Sequence, residues 1–259
     1  MYKIKDFMTL LDEFAPLSLS HYLIEKGSYD NSGLLVKMSD KANKILFSLD
    51  LSTESVIKAI NNSCDTILTH HPAIYSPIKT ISIDADKALA MALQNGINII
   101  SMHLNLDVAS CGIDNCLCQG LGGKNIEIID IVDSGCGYGR IAKINQQSLS
   151  QFVQDIKDKF GSEKIIFYGN KPVQKIASFC GSGGGHAVEY LDKLTDVDTV
   201  VSSDFAHHQI KQFIELDKNV VIIPHYVSEQ FGFFKFYELI TQKLQKKAQT
   251  LYFLDNRFM

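Results

Sequence analysis

The sequence predicts a two-domain α/β protein in which a mainly parallel sheet domain carries a smaller inserted α+β domain. Short apolar runs alternate with segments of helical periodicity up to about residue 123 and again from residue 206 onward, which is the β-α-β order of a parallel sheet. The 259 residues exceed one typical domain. The alternation pauses at residues 120–123, so we expect a discontinuous domain of residues 1–123 plus 206–259 and an inserted domain of residues 124–205.

The elements follow from spacing and turn residues. Apolar residues at three-and-four spacing predict helices at residues 4–14, 19–26, 84–95, 148–160, 185–194, 206–216 and 229–246, and a helix capped by Ser52 or Thr53. Apolar runs bounded by turn residues predict strands at residues 34–36, 45–51, 67–68, 97–102, 126–132, 140–144, 164–168, 175–180, 199–202 and 220–223.

Composition restricts the class of protein. The net charge is -4 and the pI is near 6.0, whereas a dedicated nucleic-acid binder is usually basic. The first residues contain no apolar signal core, and no run is long enough to cross a bilayer, so we expect a cytoplasmic protein. Six cysteines without a C-x-x-C pair predict reduced thiols rather than a disulfide scaffold.

The run at residues 67–68 ends in His70 and His71, and Pro72 stops the strand. Both histidines therefore lie at a carboxyl end, where open α/β sheets hold their sites. Successive strand residues point to opposite faces. Past the end of a strand the backbone turns, so two neighbouring imidazoles can each bind a different ion of a pair.

Two further apolar runs lead into the same residue types. Residues 97–102 precede His103 and Asp107, and residues 220–223 precede His225 and Glu229. His225 and Glu229 are four apart and share a face if a helix begins near Tyr226, whereas Asp107 is expected in a loop. Imidazoles with carboxylates suit a divalent first-row metal, or two ions that share a carboxylate.

Less specific interpretations compete with this one. A His-His dipeptide alone is weak, because His207-His208 is a second example; three strand ends together are harder to attribute to composition. The cysteines at 111, 116, 118 and 136 lack the paired spacing of structural zinc sites and are interpreted as packing. The glycine run at 181–185 lies between a predicted strand and a predicted helix. It is interpreted as a tight turn, with an anion site as the alternative.

Four segments then carry a family resemblance: Thr69-His70-His71-Pro72, His103-Leu104-Asn105-Leu106-Asp107, Ser203-Asp204 with His208, and His225-Tyr226-Val227-Ser228-Glu229. In this order they resemble the motifs of the YbgI-like, NIF-three-like family of dinuclear-metal proteins, named GTP cyclohydrolase 1 type 2 homologues. Asp30-Asn31-Ser32-Gly33-Leu34 resembles the family's N-terminal signature, with Tyr29 where Trp is usual. Ser203 stands where Gly is common, and the inserted domain of longer members is absent.

The resemblance implies a YbgI-like two-domain fold, a ring-shaped homohexamer and two divalent ions per subunit, zinc, iron or manganese. The ligands it implies are His70, His71, Asp107, His225 and Glu229, with Glu229 as a bridge. His103, Asp204 and His208 fall near the metals as supporting or substrate-contacting groups.

Function is expected to be metal-assisted hydrolysis that opens the guanine imidazole ring of GTP, with Asp204 or His208 moving the proton. The alternative is a non-catalytic metal-binding or metal-delivery protein that uses the same ligands. A ring that binds nucleic acid is disfavoured by the acidic balance.

Overall fold

The structure, a computed structural model, describes all 259 residues and forms two compact units. The first unit comprises Met1–Cys111 and Phe233–Leu254, and the second comprises Gly112–Gly232 and Asp255–Met259. The predicted domains, residues 1–123 plus 206–259 and residues 124–205, stay a prediction. The predicted α/β class is confirmed, and the fold is a mixed α/β fold with two sheets.

The strands, in chain order, are β1 Gly33–Val36, β2 Lys44–Ser48, β3 Thr66–Thr69, β4 Asn98–Ser101, β5 Lys124–Asp133, β6 Cys136–Gln147, β7 Ile166–Tyr168, β8 Val173–Ser178, β9 Thr199–Ser202, β10 Asn219–Ile222 and β11 Gln249–Phe253. The helices are α1 Ile4–Asp12, α2 Leu17–Glu25, α3 Thr53–Asn61, α4 Lys87–Gln94, α5 Leu104–Val108, α6 Ile113–Gly120, α7 Leu149–Phe160, α8 Gly184–Glu189, α9 His207–Glu215 and α10 His225–Leu244, and a 3-10 turn covers Leu191–Leu194.

The first unit is built on a sheet in the order β1-β4-β3-β2-β11. Only β1 is antiparallel; β2, β3, β4 and β11 run parallel. All four residues of β3 and of β4 are buried, because crossover helices cover both faces of a parallel sheet. The Ser52 side chain accepts from the Ser55 N–H and forms the expected cap of α3. These strands place the ends of β3 and β4 side by side.

The second unit has a six-stranded sheet in the order β5-β6-β8-β9-β10-β7. The central strands β8, β9 and β10 are parallel, and β5, β6 and β7 pair antiparallel at the two sides. The core beneath it includes Phe179, Val200 and Phe213, all fully buried. The carboxyl ends of β8, β9 and β10 lead respectively to Gly181, Asp204 and His225.

Helix α10 begins at His225 and not, as the periodicity predicts, at residue 229. Pro224 accounts for the early start, because its fixed φ suits a helix start and its carbonyl accepts the Ser228 N–H at 2.9 Å. The helix runs from the second unit into the first. Its Phe233, Phe236 and Ile240 are buried in the first unit.

Two further predictions about elements are wrong, and two elements were missed. Asp107 lies in the short helix α5 rather than in a loop, since the His103 carbonyl accepts the N–H groups of Leu106 and Asp107; one turn is too short to show periodicity. β2 ends at Ser48, because the Leu49 carbonyl turns to accept from His70 and His71. The strand β11 and helix α6 were not predicted.

No helix is both long and apolar enough to cross a membrane.

Candidate metal centre

Three histidines of the first unit gather at the ends of two adjacent parallel strands. His70 and His71 follow β3 and His103 follows β4, and the two strands pair in register up to Thr69 and Ser101. One ring nitrogen from each of the three lies within 4.8 Å of those of the other two. His70 is fully buried, whereas His71 and His103 are partly exposed. The predicted convergence of these strand ends is therefore present in the fold.

Each of these rings is held by its Nδ1 atom. Nδ1 of His70 lies 2.8 Å from the Met102 carbonyl oxygen. Nδ1 of His71 lies 2.6 Å from Asp50 Oδ1, and Nδ1 of His103 lies 2.8 Å from Asp30 Oδ1. An Nδ1–H that donates to such an acceptor places the lone pair on Nε2. This is the arrangement of metal-ligating histidines, whose second nitrogen is fixed by a carboxylate or carbonyl.

Asp107 adds a carboxylate to the three imidazoles. Its Oδ1 lies 3.5 Å from His70 Nε2, and both side chains are almost wholly buried. Two ligands at tetrahedral positions, each about 2.1 Å from an ion, are about 3.4 Å apart. The spacing of His70 and Asp107 therefore suits two ligands of one ion.

Asp30 is a buried carboxylate that anchors His103. Burial by itself raises the pKa of Asp30, but hydrogen bonds from His103, Ser20 and Ser32 outweigh burial and lower the pKa to about 2. The carboxylate is thus charged throughout the neutral range. Ser32 also accepts the His103 N–H at 3.0 Å, which fixes both ends of the residue.

Asp50 and Asp30 were not among the predicted site residues. Asp50 follows β2 at the same sheet edge as His70, but the predicted strand at 45–51 concealed it. If the strand had been predicted to end at Ser48, Asp50 would have stood just past a strand end, as the histidines do. It would then have been a candidate site residue for the same reason. Asp30 occurs in the sequence only as part of a turn cluster, and nothing local pairs it with His103, 73 residues later.

A second group lies in the second unit. His225 Nδ1 is 2.5 Å from Asp204 Oδ2, and His225 Nε2 is 3.0 Å from Glu229 Oε1. Both ring nitrogens thus face carboxylate oxygens, so the ring needs two protons unless a cation replaces one. Two ligand atoms that each lie about 2.1 Å from an ion, at right angles to one another, are also about 3.0 Å apart. The separation of His225 Nε2 and Glu229 Oε1 therefore suits two ligands of one ion. Asp204 has a φ of 50°, a left-handed conformation uncommon outside glycine.

Glu229 is 3% exposed and lies against the loop after β8. A Cβ on Gly181 would be 2.2 Å from Glu229 Oε1, and Gly181 has a φ of +55°. The Gly181 N–H donates to Ser228 Oγ, and the preceding Cys180 N–H donates to the buried Asp114. The glycine run therefore forms a tight strand-to-helix turn in which Gly181 leaves room for the carboxylate.

Two other sets of residues have no part in these groups. His208 is exposed in the first turn of α9 and makes no hydrogen bond or ion pair. No cysteine forms a disulfide, and none belongs to a group with metal-ligand spacing. Burial raises the pKa of the Cys118 thiol to about 12, so this thiol stays protonated.

Comparison with known proteins places the chain in a family. The sequence profile of Duf34/NIF3 (NGG1p interacting factor 3) matches residues 2–256. The chain belongs to the Duf34/NIF3 family. A relative from Methanocaldococcus jannaschii, named GTP cyclohydrolase 1 type 2 homolog, is 30% identical over 257 residues, covering 97% of this chain and 100% of that protein.

Further similarities agree. A Clostridium perfringens protein of the same name is 28% identical over 255 residues, covering 95% of this chain and 94% of that protein. The crystal structure of Staphylococcus aureus hypothetical protein SA1388 superposes with a TM-score of 0.85 at 27% identity, covering 98% of this chain and 97% of that one. This Duf34/NIF3 chain thus has relatives named as cyclohydrolase homologues, and its His, Asp and Glu groups can hold a metal ion.

Proposed function

We propose that this protein is a dinuclear-metal hydrolase that opens the imidazole ring of a guanine nucleotide such as GTP. Its proposed ligands are His70, His71, Asp107, His225 and Glu229, and its ions are zinc, iron or manganese. The observation that supports it most is the Nδ1 anchoring of the imidazoles by Asp50, the Met102 carbonyl and Asp204. This anchoring directs Nε2 lone pairs and favours ion binding over a packing role.

Helix α10 carries two of the proposed ligands, His225 and Glu229, one turn apart at its start. Their side chains lie together, with His225 Nε2 3.0 Å from Glu229 Oε1. The family resemblance implies a bridging role for Glu229, and we propose that Glu229 would hold both ions.

When bound, a pair of divalent ions acidifies a water towards neutral pH and polarises the bond under attack. The chain supplies the remaining groups. Asp204 holds the Nδ1 proton of His225 and, at half exposure, can exchange a proton with solvent. We propose Asp204 as the proton carrier, with the exposed His208 as the alternative. His103, beside both His70 and His71, is proposed to contact the substrate.

Two aromatic rings beside the histidines support the proposal that the substrate contains a guanine base, as do the names of the relatives. Tyr29 and Tyr75 are 46% and 51% exposed, and their ring centroids are 5.0 Å apart. The Tyr75 ring centroid is 6.3 Å from that of His103. Asn31 donates to the Ile74 carbonyl and joins the two segments. Exposed aromatic faces beside a candidate site suit a planar ring, which stacks on them.

The test is turnover of GTP by protein loaded separately with zinc, iron or manganese, followed by loss of guanine absorbance and by metal content per chain. Glu229→Gln should bind less metal and lose turnover. Glu189→Gln, at an exposed carboxylate paired with His186, is the matched control. Tyr75→Leu should raise KM at unchanged metal content, while Tyr75→Phe should not. Two bound ions with no turnover on GTP would overturn the substrate proposal.

The second candidate is a metal-delivery protein, which the exposure of His71 and His225 favours, because partly exposed ligands allow an ion to leave. In this case a loaded chain would pass its ion to an acceptor protein faster than to a chelator of equal affinity. Turnover that persists with firmly bound metal would exclude this function.

A further inference from the structure

The second unit contains a buried ion pair that belongs to none of the groups with metal-ligand spacing. Arg140 of β6 is 1% exposed, Asp114 of α6 is fully buried, and Arg140 Nη1 lies 3.0 Å from Asp114 Oδ2. The same Nη1 atom donates to the carbonyl oxygens of Gly137 and Gly139, at 2.8 and 3.1 Å. Because desolvation offsets the attraction of two buried charges, an apolar pair of similar volume would often stabilise a fold as well. The contacts of the pair, rather than its stability, therefore indicate what it does.

The second carboxylate oxygen of Asp114 reaches the turn that follows β8. Asp114 Oδ1 accepts the N–H of Cys180 at 3.0 Å. The Cys180 carbonyl accepts the Tyr138 hydroxyl, and the next N–H, that of Gly181, donates to Ser228 Oγ at 3.3 Å. A hydrogen bond to a carboxylate is stronger than one between neutral groups. The backbone of the Cys180–Gly181 turn is therefore fixed from several sides, and most strongly by Asp114.

The Cys180–Gly181 turn lies directly against two of the proposed ligands. A Cβ on Gly181 would be 2.2 Å from Glu229 Oε1 and 3.4 Å from His225 Nε2. Backbone this close to a carboxylate restricts where the carboxylate can lie, because packing contacts weaken within about 0.5 Å of displacement. A continuous set of contacts thus runs from Arg140 through Asp114 and the turn to Glu229.

We propose that Asp114 and Tyr138 are positioning residues of the metal centre, which hold Cys180 by its N–H and by its carbonyl. Arg140, itself fixed by two backbone carbonyls, gives the Asp114 carboxylate its orientation in the core. The turn held in this way keeps the Glu229 carboxylate where it can bind an ion, as a supporting shell does for the ligands of a metal. The proposal rests on metal binding by Glu229, which is part of the proposed function, but not on the reaction or the substrate.

The test compares two double variants of the full chain that differ only at residue 114. Asp114→Leu with Arg140→Met replaces the ion pair by apolar side chains, which a core often tolerates, and removes the acceptor of the Cys180 N–H. Asp114→Asn with Arg140→Met removes the same charges but retains a side-chain oxygen that can accept this N–H. Competition with a chelator gives the zinc affinity, and the absorption spectrum of bound Co²⁺ reports how its ligands are arranged.

Asp114→Leu with Arg140→Met is expected to lower zinc affinity about tenfold, as loss of a supporting contact does, and to change the Co²⁺ spectrum. Asp114→Asn with Arg140→Met should bind zinc nearly as tightly as wild type, because the acceptor is restored. Tyr138→Phe keeps the ring and removes the hydroxyl that donates to Cys180. This variant should fold normally and lose about fivefold in zinc affinity, the effect of one hydrogen bond.

Lys218→Met is the control for a general loss of stability in the second unit. Lys218 is 8% exposed and donates to the carbonyls of Thr195 and Val197. These residues precede β9 and β10, at the opposite end of the strands from Asp204 and His225. The variant should lower the melting temperature and leave zinc affinity and the Co²⁺ spectrum unchanged.

Zinc affinity equal to wild type in Asp114→Leu with Arg140→Met, or in Tyr138→Phe, would overturn the proposal. Equal losses in the two double variants would also overturn it, because the acceptor at residue 114 would then have no effect. A wild type that binds no zinc would contradict the metal centre and this proposal together. Bound zinc without turnover of GTP would contradict only the proposed reaction.

Discussion

Single residues of the candidate centre act mainly by fixing the orientation of others. Asp50 and Asp30 each accept from a histidine Nδ1, and Asp204 does so for His225. Gly181 acts by having no side chain, since a Cβ there would collide with Glu229. The proposed ligands therefore depend on residues that bind no ion themselves.

Gly181→Ala is expected to lower metal affinity about tenfold or more, as loss of a supporting contact does. The added methyl would displace the Glu229 carboxylate, and the φ of +55° would strain an alanine. Metal per chain after dialysis against a competing chelator measures the effect. Gly185→Ala is the control, because its nearest neighbour is Gln209 Nε2 at 3.6 Å and its φ is not positive. Equal metal content in the two variants would contradict the role given to Gly181.

Asp50→Ala is expected to lower metal affinity about 10- to 100-fold, with little change in melting temperature. His71 would lose the acceptor that fixes its tautomer, while Asp50 itself is 41% exposed and its removal leaves no buried gap. Titration with zinc or manganese and a thermal scan separate the two effects. Asp40→Ala, at an exposed ion pair with Lys37, should leave metal affinity unchanged. A matching loss in that control would mean that net charge, and not His71, is responsible.

At the scale of elements, α10 links the metal residues to the core. Its first turns carry His225 and Glu229, and its later turns bury Phe233, Phe236 and Ile240. Gly232 lies where the helix passes α6 in the second unit, and a Cβ on Gly232 would be 2.7 Å from the Cα of Ile113. Close backbone approach thus explains a glycine inside a helix, where it is otherwise unfavourable.

Gly232→Ala is expected to destabilise the protein, although alanine favours a helix by about 1 kcal/mol over glycine. The contact with Ile113 involves backbone, which cannot rotate away, and overpacking of this kind costs about 1–3 kcal/mol. The free energy of unfolding in urea measures the balance. Gln242→Ala, an exposed position of the same helix, should be nearly neutral. A more stable Gly232→Ala would show that helix propensity outweighs this contact.

For the whole molecule, the proposed ions should stabilise the folded chain. An ion that binds only the native state raises the free energy of unfolding by about 2.7 kcal/mol when its free concentration is 100 times its dissociation constant. We expect the melting temperature to rise on loading with zinc or manganese and to return to the metal-free value with a chelator. Glu229→Gln should show a smaller rise than wild type. An identical rise in both would indicate that ions bind elsewhere on the chain.

Local sequence signals were enough to predict the α/β class and the strand ends that carry His70, His71, His103 and His225. Hydrophobic periodicity and Pro72 or Pro224 are local signals, and parallel strands bring their carboxyl ends to one edge wherever they pair. The start of α10 and the place of Asp107 were missed, because one helical turn leaves no periodic pattern. The profile match that assigns the chain to the Duf34/NIF3 family covers residues 2–256, which include these segments.

The groups that support those histidines could be identified only in the folded chain. The pairs His103 with Asp30, His71 with Asp50 and His225 with Asp204 are separated by 73, 21 and 21 residues, and no local rule relates such positions. The fit of Gly181 against Glu229 likewise depends on the fold, which brings Glu229 Oε1 to 2.2 Å from the place that a Cβ on Gly181 would occupy. Orientation and close packing are properties of strand order and backbone path, which form only when the chain is folded.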